Sequence, residues 1–144
     1  MDHLIYERRG AIALAILNRP EKRNALALQT YAELSTVVEE VEADPTLRVL
    51  VLTGNGPAFS AGADIDEVLA LEETVEAALG RFRQSHRFIA RLRALTKPVI
   101  AALTGDAVGA GASLALAADI RYLATTARIG FTFSRVGLGP DMGA

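Results

Sequence analysis

The stretch Val99-Ile100-Ala101-Ala102-Leu103-Thr104-Gly105-Asp106-Ala107-Val108-Gly109-Ala110-Gly111-Ala112-Ser113-Leu114-Ala115-Leu116-Ala117-Ala118-Asp119-Ile120-Arg121-Tyr122-Leu123 decides the fold. A short apolar run gives way to a glycine-rich turn, an apolar small-residue helix and a second apolar run. That order predicts a βαβ unit with parallel strands. Upstream, Val49-Leu50-Val51-Leu52 closes on Thr53-Gly54-Asn55-Gly56-Pro57 and reads as a strand buried on both faces. Residues 3–8 and 11–17 read as two strands joined at Gly10. In the second, Ile12, Leu14 and Ile16 alternate with Ala11, Ala13 and Ala15.

Between these strands lie helical patterns. From about residue 27, Tyr31, Leu34, Val38 and Val41 recur at helical spacing until Asp44-Pro45 ends the run. A longer helix is expected from about 72 to 95, anchored by Leu79, Phe82, Ile89 and Leu92 and stopped by Pro98. The segment 58–63 reads as a loop leading to Asp64, with Glu67 three positions on, the spacing of a helix capping box. The fold class is α/β, in one domain over residues 1–144.

Composition narrows the function. The 144 residues are 51% hydrophobic and 22% charged, which fits a globular domain rather than a disordered chain. Fifteen Lys and Arg against seventeen Asp and Glu give a net charge of −2, without the basic footprint of a nucleic-acid binder. The absence of cysteine removes disulfides, a thiolate nucleophile and thiolate metal ligation. His3 and His86 lack paired ligand spacing, so no metal site is expected. Charged residues precede any apolar run at the N-terminus, and Lys97, Asp106 and Asp119 interrupt the most apolar region. Neither a signal peptide nor a membrane span is expected, and the location is read as cytoplasmic.

Three segments could carry chemistry. Gly109-Ala110-Gly111-Ala112-Ser113 opens a helix after a strand, and the first helical amides have no partners within the helix. Taken alone, close helix packing is the commoner explanation. The segment is neither a dinucleotide fingerprint nor a nucleophile elbow, since Leu114 and Ala115 stand where each would need a glycine. Phe59-Ser60-Ala61-Gly62-Ala63-Asp64-Ile65 is a second small-residue loop at a helix start, with Asp64 as the plain cap. Two amides converging from these loops would form an oxyanion hole, though sequence leaves the convergence open. In Gly137-Leu138-Gly139-Pro140-Asp141, an aspartate in an apolar loop suits proton transfer, although as a lone feature it reads as a turn residue. Arg19, Lys22 and Arg23 form a basic loop, usually a solvated face but able to meet phosphates.

Together, Leu17-Asn18-Arg19-Pro20 through Asn24-Ala25-Leu26, Val49 to Gly54, Phe59 to Asp64, and Lys97 to Ala102 with Gly109-Ala110-Gly111 resemble the crotonase superfamily of enoyl-CoA hydratases and isomerases. The resemblance covers essentially the whole chain. It implies a ββα spiral core and an acyl-CoA thioester substrate, with no cofactor beyond the coenzyme A that the substrate carries. By motif position it implies Ala63 and Gly111 as oxyanion donors, and Lys22, Arg23, Ala25, Ala61, Asp64, Ile65 and Gly109 as substrate-binding residues. The positions where hydratases carry their two glutamates fall on Ser113 and about Phe133. Asp141 stands where several isomerases of the superfamily place a catalytic aspartate. The closest resemblance is to phenylacetate-pathway isomerases acting on a ring-epoxide acyl-CoA, which favours isomerase chemistry with Asp141 as proton shuttle.

An enoyl-CoA hydratase and a non-catalytic acyl-CoA-binding fragment are the alternatives. Superfamily members are longer and finish with helices that build trimers or hexamers. The expectation is therefore a spiral core shortened relative to the family, forming a homotrimer or hexamer at full length.

Overall fold

The computed structural model describes residues 1–70, 74–137, 139–140 and 142–143. Strands β1 (Leu4–Arg9) and β2 (Ile12–Leu17) form an antiparallel hairpin, and helix α1 (Leu28–Ala43) follows a short 3-10 turn at Pro20–Lys22. Then come β3 (Val49–Gly54), β4 (Ala58–Ser60), α2 (Ile65–Ala70) and α3 (Val75–Ala94). Strands β5 (Val99–Leu103) and β6 (Asp106–Val108) lead into α4 (Ala110–Ala117). The chain continues with β7 (Ile120–Leu123), β8 (Ile129–Gly130) and a 3-10 turn at Phe133–Val136.

Two sheets result. The larger has the order β1-β2-β3-β5-β7 and is parallel except for its first hairpin; the smaller has the order β4-β6-β8 and is parallel throughout. Three successive strand pairs, β3–β4, β5–β6 and β7–β8, each give their first member to the large sheet and their second to the small one. This repeated turn from one sheet to the other is the ββα spiral. It stacks the carboxyl ends of β4 and β6 side by side, at residues 61–63 and 109–111.

Burial explains why the elements settle where they do. Tyr31, Leu34, Val37, Val38 and Val41 bury one face of α1, which packs on β1 and β2, while Phe88, Ile89 and Leu92 of α3 are buried in the same core, where α3 packs on α1 and α4. Each such side chain contributes roughly 1.5–3 kcal/mol relative to an exposed one. Asp44 ends α1 by accepting hydrogen bonds from the Thr46 amide at 2.8 Å and from Arg8 at 2.7 Å.

Several local expectations change. In β3 Leu50, Leu52 and Gly54 are buried, while Val49, Val51 and Thr53 are half-covered, so the strand is not buried on both faces. In β2 the bulky face is the more open one: Ala13 and Ala15 are buried, because small side chains let the neighbouring layer approach closely. Leu79 and Phe82 of α3 are exposed rather than anchoring, and α3 begins at Val75. The segment 58–63 is not all loop, since residues 58–60 form β4. Among the described residues, no helix is long and apolar enough to cross a membrane, and no group of three or more acidic or histidine side chains is arranged to hold a metal ion.

Candidate active site

The loop after β4 is fixed from below by Asn24. Its amide donates to the Ala58 carbonyl at 2.8 Å and the Asn55 carbonyl at 2.9 Å, while its side-chain oxygen accepts from the Arg19 amide at 2.9 Å. Ser60 donates to the Asn24 carbonyl at 2.8 Å and accepts from the Gly62 amide at 3.2 Å. The next residues then pair with the segment before α1: the Leu26 amide donates to the Gly62 carbonyl and the Asp64 amide to the Leu26 carbonyl, bracketing Ala63 in a parallel bridge. The Gly62 carbonyl and the Ala63 N–H belong to one trans peptide group and point in opposite directions. The Ala63 N–H therefore faces away from Leu26, and among the described residues it donates to nothing.

The second loop is pressed against the first. A side chain on Gly62, which has φ of +98°, would lie 2.7 Å from the Val108 carbonyl and 3.4 Å from the Ala110 nitrogen. One on Gly111 would lie 2.7 Å from Ser60. Only glycine permits both approaches. Gly109 enters α4 with φ of +52°, and its amide is taken by the Gly130 carbonyl at 2.9 Å. The Gly111 N–H, in the first turn of α4, has no acceptor among the described residues. Thus Ala63 and Gly111, from two loops in contact, each present an unused amide.

Asp64 sits just beyond Ala63 and is 5% exposed at its side chain. It caps α2 by accepting from the Glu67 amide at 3.3 Å, and it pairs with Arg19 at 2.7 Å and Lys22 at 3.7 Å. Burial pushes its carboxyl pKa up, but the Arg19 hydrogen bond, the Glu67 amide and the two cationic charges outweigh it and hold the group below its ordinary value. The capping box is only half made, because Glu67 turns to the Leu28 amide at 3.0 Å and so caps α1. Arg19 is 14% exposed, which removes it from the solvated face expected of its loop, whereas Lys22 and Arg23 are exposed. Lys22 also bonds Asp66 at 2.8 Å, the main reason its ammonium pKa is raised. Arg23 is exposed and forms no ion pair among the described residues.

Three depressions hold most of the expected site residues, and Gly109 and Gly111 line none of the three. One of about 370 Å³ is lined by Lys22, Ala25, Asp64, Ile65, Glu21 and Asp66; one of about 300 Å³ by Arg23, Ala61, Ser60 and Val108 among others. The third, about 230 Å³ and mostly apolar, contains Ala63 and Ile65 with Leu26, Leu28, Tyr31, Val68 and Phe82. Tyr31 and Phe82, which the sequence marks only as helix-spaced apolar residues, thus become pocket walls. Ser113 is buried, its hydroxyl turned back to the Gly109 carbonyl at 3.4 Å, and Phe133 is buried with its ring beside Gly109. Asp141 lies outside the described residues.

Residues 7–144 match the enoyl-CoA hydratase/isomerase family. The chain belongs to that family. It is 39% identical over 142 residues to the 1,2-epoxyphenylacetyl-CoA isomerase of Escherichia coli K12, covering 97% of this chain and 54% of that protein. It is 35% identical over 144 residues to the short-chain-enoyl-CoA hydratase of Clostridium acetobutylicum, covering 99% and 54%. The crystal structure of an enoyl-CoA hydratase from Polaromonas sp. JS666 superposes with a TM-score of 0.93 at 37% identity, covering 97% of this chain and 55% of that one. The chain spans about half the length of the curated relatives it matches. The crotonase spiral expected from the motifs is therefore the observed fold.

Proposed function

We propose that this chain supplies the oxyanion-holding core of an acyl-CoA isomerase. The observation that carries the reading is the contact between the two loops bearing unused amides, Ala63 after β4 and Gly111 in the first turn of α4. A thioester carbonyl received between them would become an enolate oxygen when a proton leaves the α carbon. Each N–H aimed at that charge contributes roughly 3 kcal/mol to the transition state. The α4 dipole adds to the Gly111 side.

Asp141 is the proposed proton carrier. Its carboxylate takes a proton from one carbon of the acyl group and returns it to another, so atoms and charge balance within the substrate and no redox cofactor enters. Water addition usually needs two acid/base groups. A back-bonded serine and a buried phenyl ring occupy the positions of the two hydratase glutamates, which supports isomerisation. The name of the Clostridium relative favours hydration as the second reading.

Coenzyme A would run along Lys22, Arg23, Ala25, Ala61 and Ile65, with the exposed Arg23 free to meet phosphate. The Asp64 carboxylate is engaged by Arg19, so its contribution to substrate binding is to hold the loop, and Gly109 serves by shaping the turn. Assembly as a homotrimer or hexamer belongs to the same proposal. Exposed Ile120, Tyr122, Leu123 and Phe131 are apolar surface that assembly or further chain could cover, and the solution mass of the intact protein measures the outcome.

The test is an assay of the intact protein and its Asp141→Asn variant on 3-enoyl-CoA, ring-epoxide acyl-CoA and crotonyl-CoA. Isomerisation by the parent and its loss in the variant support the proposal. Undiminished isomerase activity in the variant, or water addition alone, overturns it.

A further inference from the structure

The apolar pocket beside Ala63 has a floor and a rim. Its buried members, Leu26, Tyr31 and Ser85, form the floor, and its exposed members, Ile65 and Phe82, form the rim. Two of its polar groups are occupied within the protein. The Ser85 hydroxyl donates to the Phe82 carbonyl at 2.9 Å, and the Glu67 carboxylate accepts from the Leu28 amide at 3.0 Å. The floor is also held in place. The Tyr31 ring packs on Phe88 of α3 with ring centroids 6.0 Å apart, and its hydroxyl donates to the Met142 sulfur at 3.3 Å. A side chain fixed at both ring and hydroxyl does not swing aside to lengthen the pocket.

Two observations orient a ligand here. Ile65 lines this pocket and also the depression that holds Lys22, Ala25 and Asp64, so the side proposed for coenzyme A and the apolar side meet at one residue. Ala63, whose amide is unused, stands in the wall of the apolar pocket. A thioester received at Ala63 with its coenzyme A toward Lys22 therefore has this pocket for its acyl group. Volume then sets the size. An apolar cavity of roughly 150 Å³ accepts a benzene molecule, so a pocket of about 230 Å³ takes one six-membered ring on a short link and leaves no room for a long chain.

We infer that Tyr31 sets the depth of this pocket, and that the acyl group it takes is compact and apolar, about the size of one six-membered ring. Aromatic walls at Tyr31 and Phe82 suit a flat ring. The inference rests on the reading of the chain as an acyl-CoA protein and adds to it the class of acyl group. Tyr31 acts here as a specificity determinant and takes no part in proton transfer.

The experiment measures, by calorimetry on the intact protein, the dissociation constants of free coenzyme A, phenylacetyl-CoA and decanoyl-CoA. The variants are Tyr31→Ala, Tyr31→Phe and Val68→Phe. The parent should bind phenylacetyl-CoA ~10-fold or more tightly than decanoyl-CoA. Tyr31→Ala removes the floor and should move that ratio ~10-fold toward decanoyl-CoA, whereas Tyr31→Phe keeps the ring and should leave it within ~2-fold. Val68→Phe fills the pocket from the α2 side and should weaken phenylacetyl-CoA ~10-fold, with free coenzyme A within ~2-fold of the parent as the sign of an intact fold. An unchanged ratio in Tyr31→Ala, or a shift in Tyr31→Phe as large as in Tyr31→Ala, overturns the inference. Where Tyr31→Ala loses coenzyme A binding as well, Val68→Phe decides, and undiminished affinity for phenylacetyl-CoA overturns it. A parent that binds both thioesters without the size preference defeats this inference alone. A parent that binds neither defeats the acyl-CoA reading, and this inference with it.

Discussion

Arg19 and Asp64, 45 residues apart in sequence, are joined by a 2.7 Å ion pair that is almost closed to solvent. The second arm of the guanidinium donates to the Ala25 carbonyl at 2.8 Å, so one side chain ties the turn before α1 to the residue that follows Ala63. Removing one member of a buried pair strands the other charge. Arg19→Met should therefore cost about 3 kcal/mol, partly offset by Lys22 at 3.7 Å, whereas the Arg19→Met/Asp64→Leu double variant should lose less than the sum of the two single changes. Urea unfolding of the four forms measures the coupling, and strictly additive costs would refute it.

The same pair makes stability depend on acidity. The ordinary pKa of Asp64 is 3.8, and its folded value lies lower. The unfolded chain then binds the proton more readily, so the stabilisation is complete above the ordinary value and is lost as pH falls through the folded one. Glu33 acts in the same sense. Burial raises its pKa, but hydrogen bonds from the Asp2 amide at 2.9 Å, Gln29 and the His3 amide at 3.0 Å leave it below its ordinary 4.5. Urea midpoints should hold steady down to about pH 5 and then decline toward pH 3, with Asp64→Asn showing a shallower decline.

Glycine at 111 opposes helix propensity, and that opposition can be measured. In an unobstructed helix interior, Gly→Ala stabilises by about 1 kcal/mol. Here the added carbon would lie 2.7 Å from the Ser60 backbone oxygen, a contact that cannot be relieved by rotating a side chain. Gly111→Ala should destabilise instead, and it should lower kcat ~10- to 100-fold by pushing the two oxyanion loops apart. A variant with raised thermal stability and intact turnover would show that the loops need not touch.

How far the sequence could be read follows from element length. Helix α1 announced itself through Tyr31, Leu34, Val38 and Val41, and β5 through an unbroken apolar run, because each is long enough to express a period. Strands β4, β6 and β8 span only two or three residues and carry no period, so the small sheet stayed hidden although the glycine loops at its carboxyl ends were visible. The oxyanion loops were legible as motifs, because close approach requires small residues in sequence as well as in space. The partners that hold them were not. Nothing local to Arg19 signals Asp64, since that contact depends on how α2 folds back over the spiral.

Asn24 concentrates the remaining prediction in one side chain. It is 1% exposed and adopts a left-handed φ of +56°, and its amide closes the gap between residues 55–58 and the turn before α1 through three hydrogen bonds. Asn24→Ala removes all three and also places a side chain that disfavours positive φ in that conformation. Of the three groups left without partners only the Ala58 carbonyl is in a buried hydrogen bond, and leaving it unpaired costs roughly 1–3 kcal/mol. Asn24→Gly loses the same bonds but keeps the backbone unstrained. The glycine variant should therefore be the more stable of the two by about 1 kcal/mol, the conformational part, while both fall well below the parent. Both should also lose turnover, because Ala58 and Ser60, which Asn24 holds, carry the loop that ends at Ala63. Equal stability of the two variants would place the whole cost in the hydrogen bonds and none in the left-handed backbone.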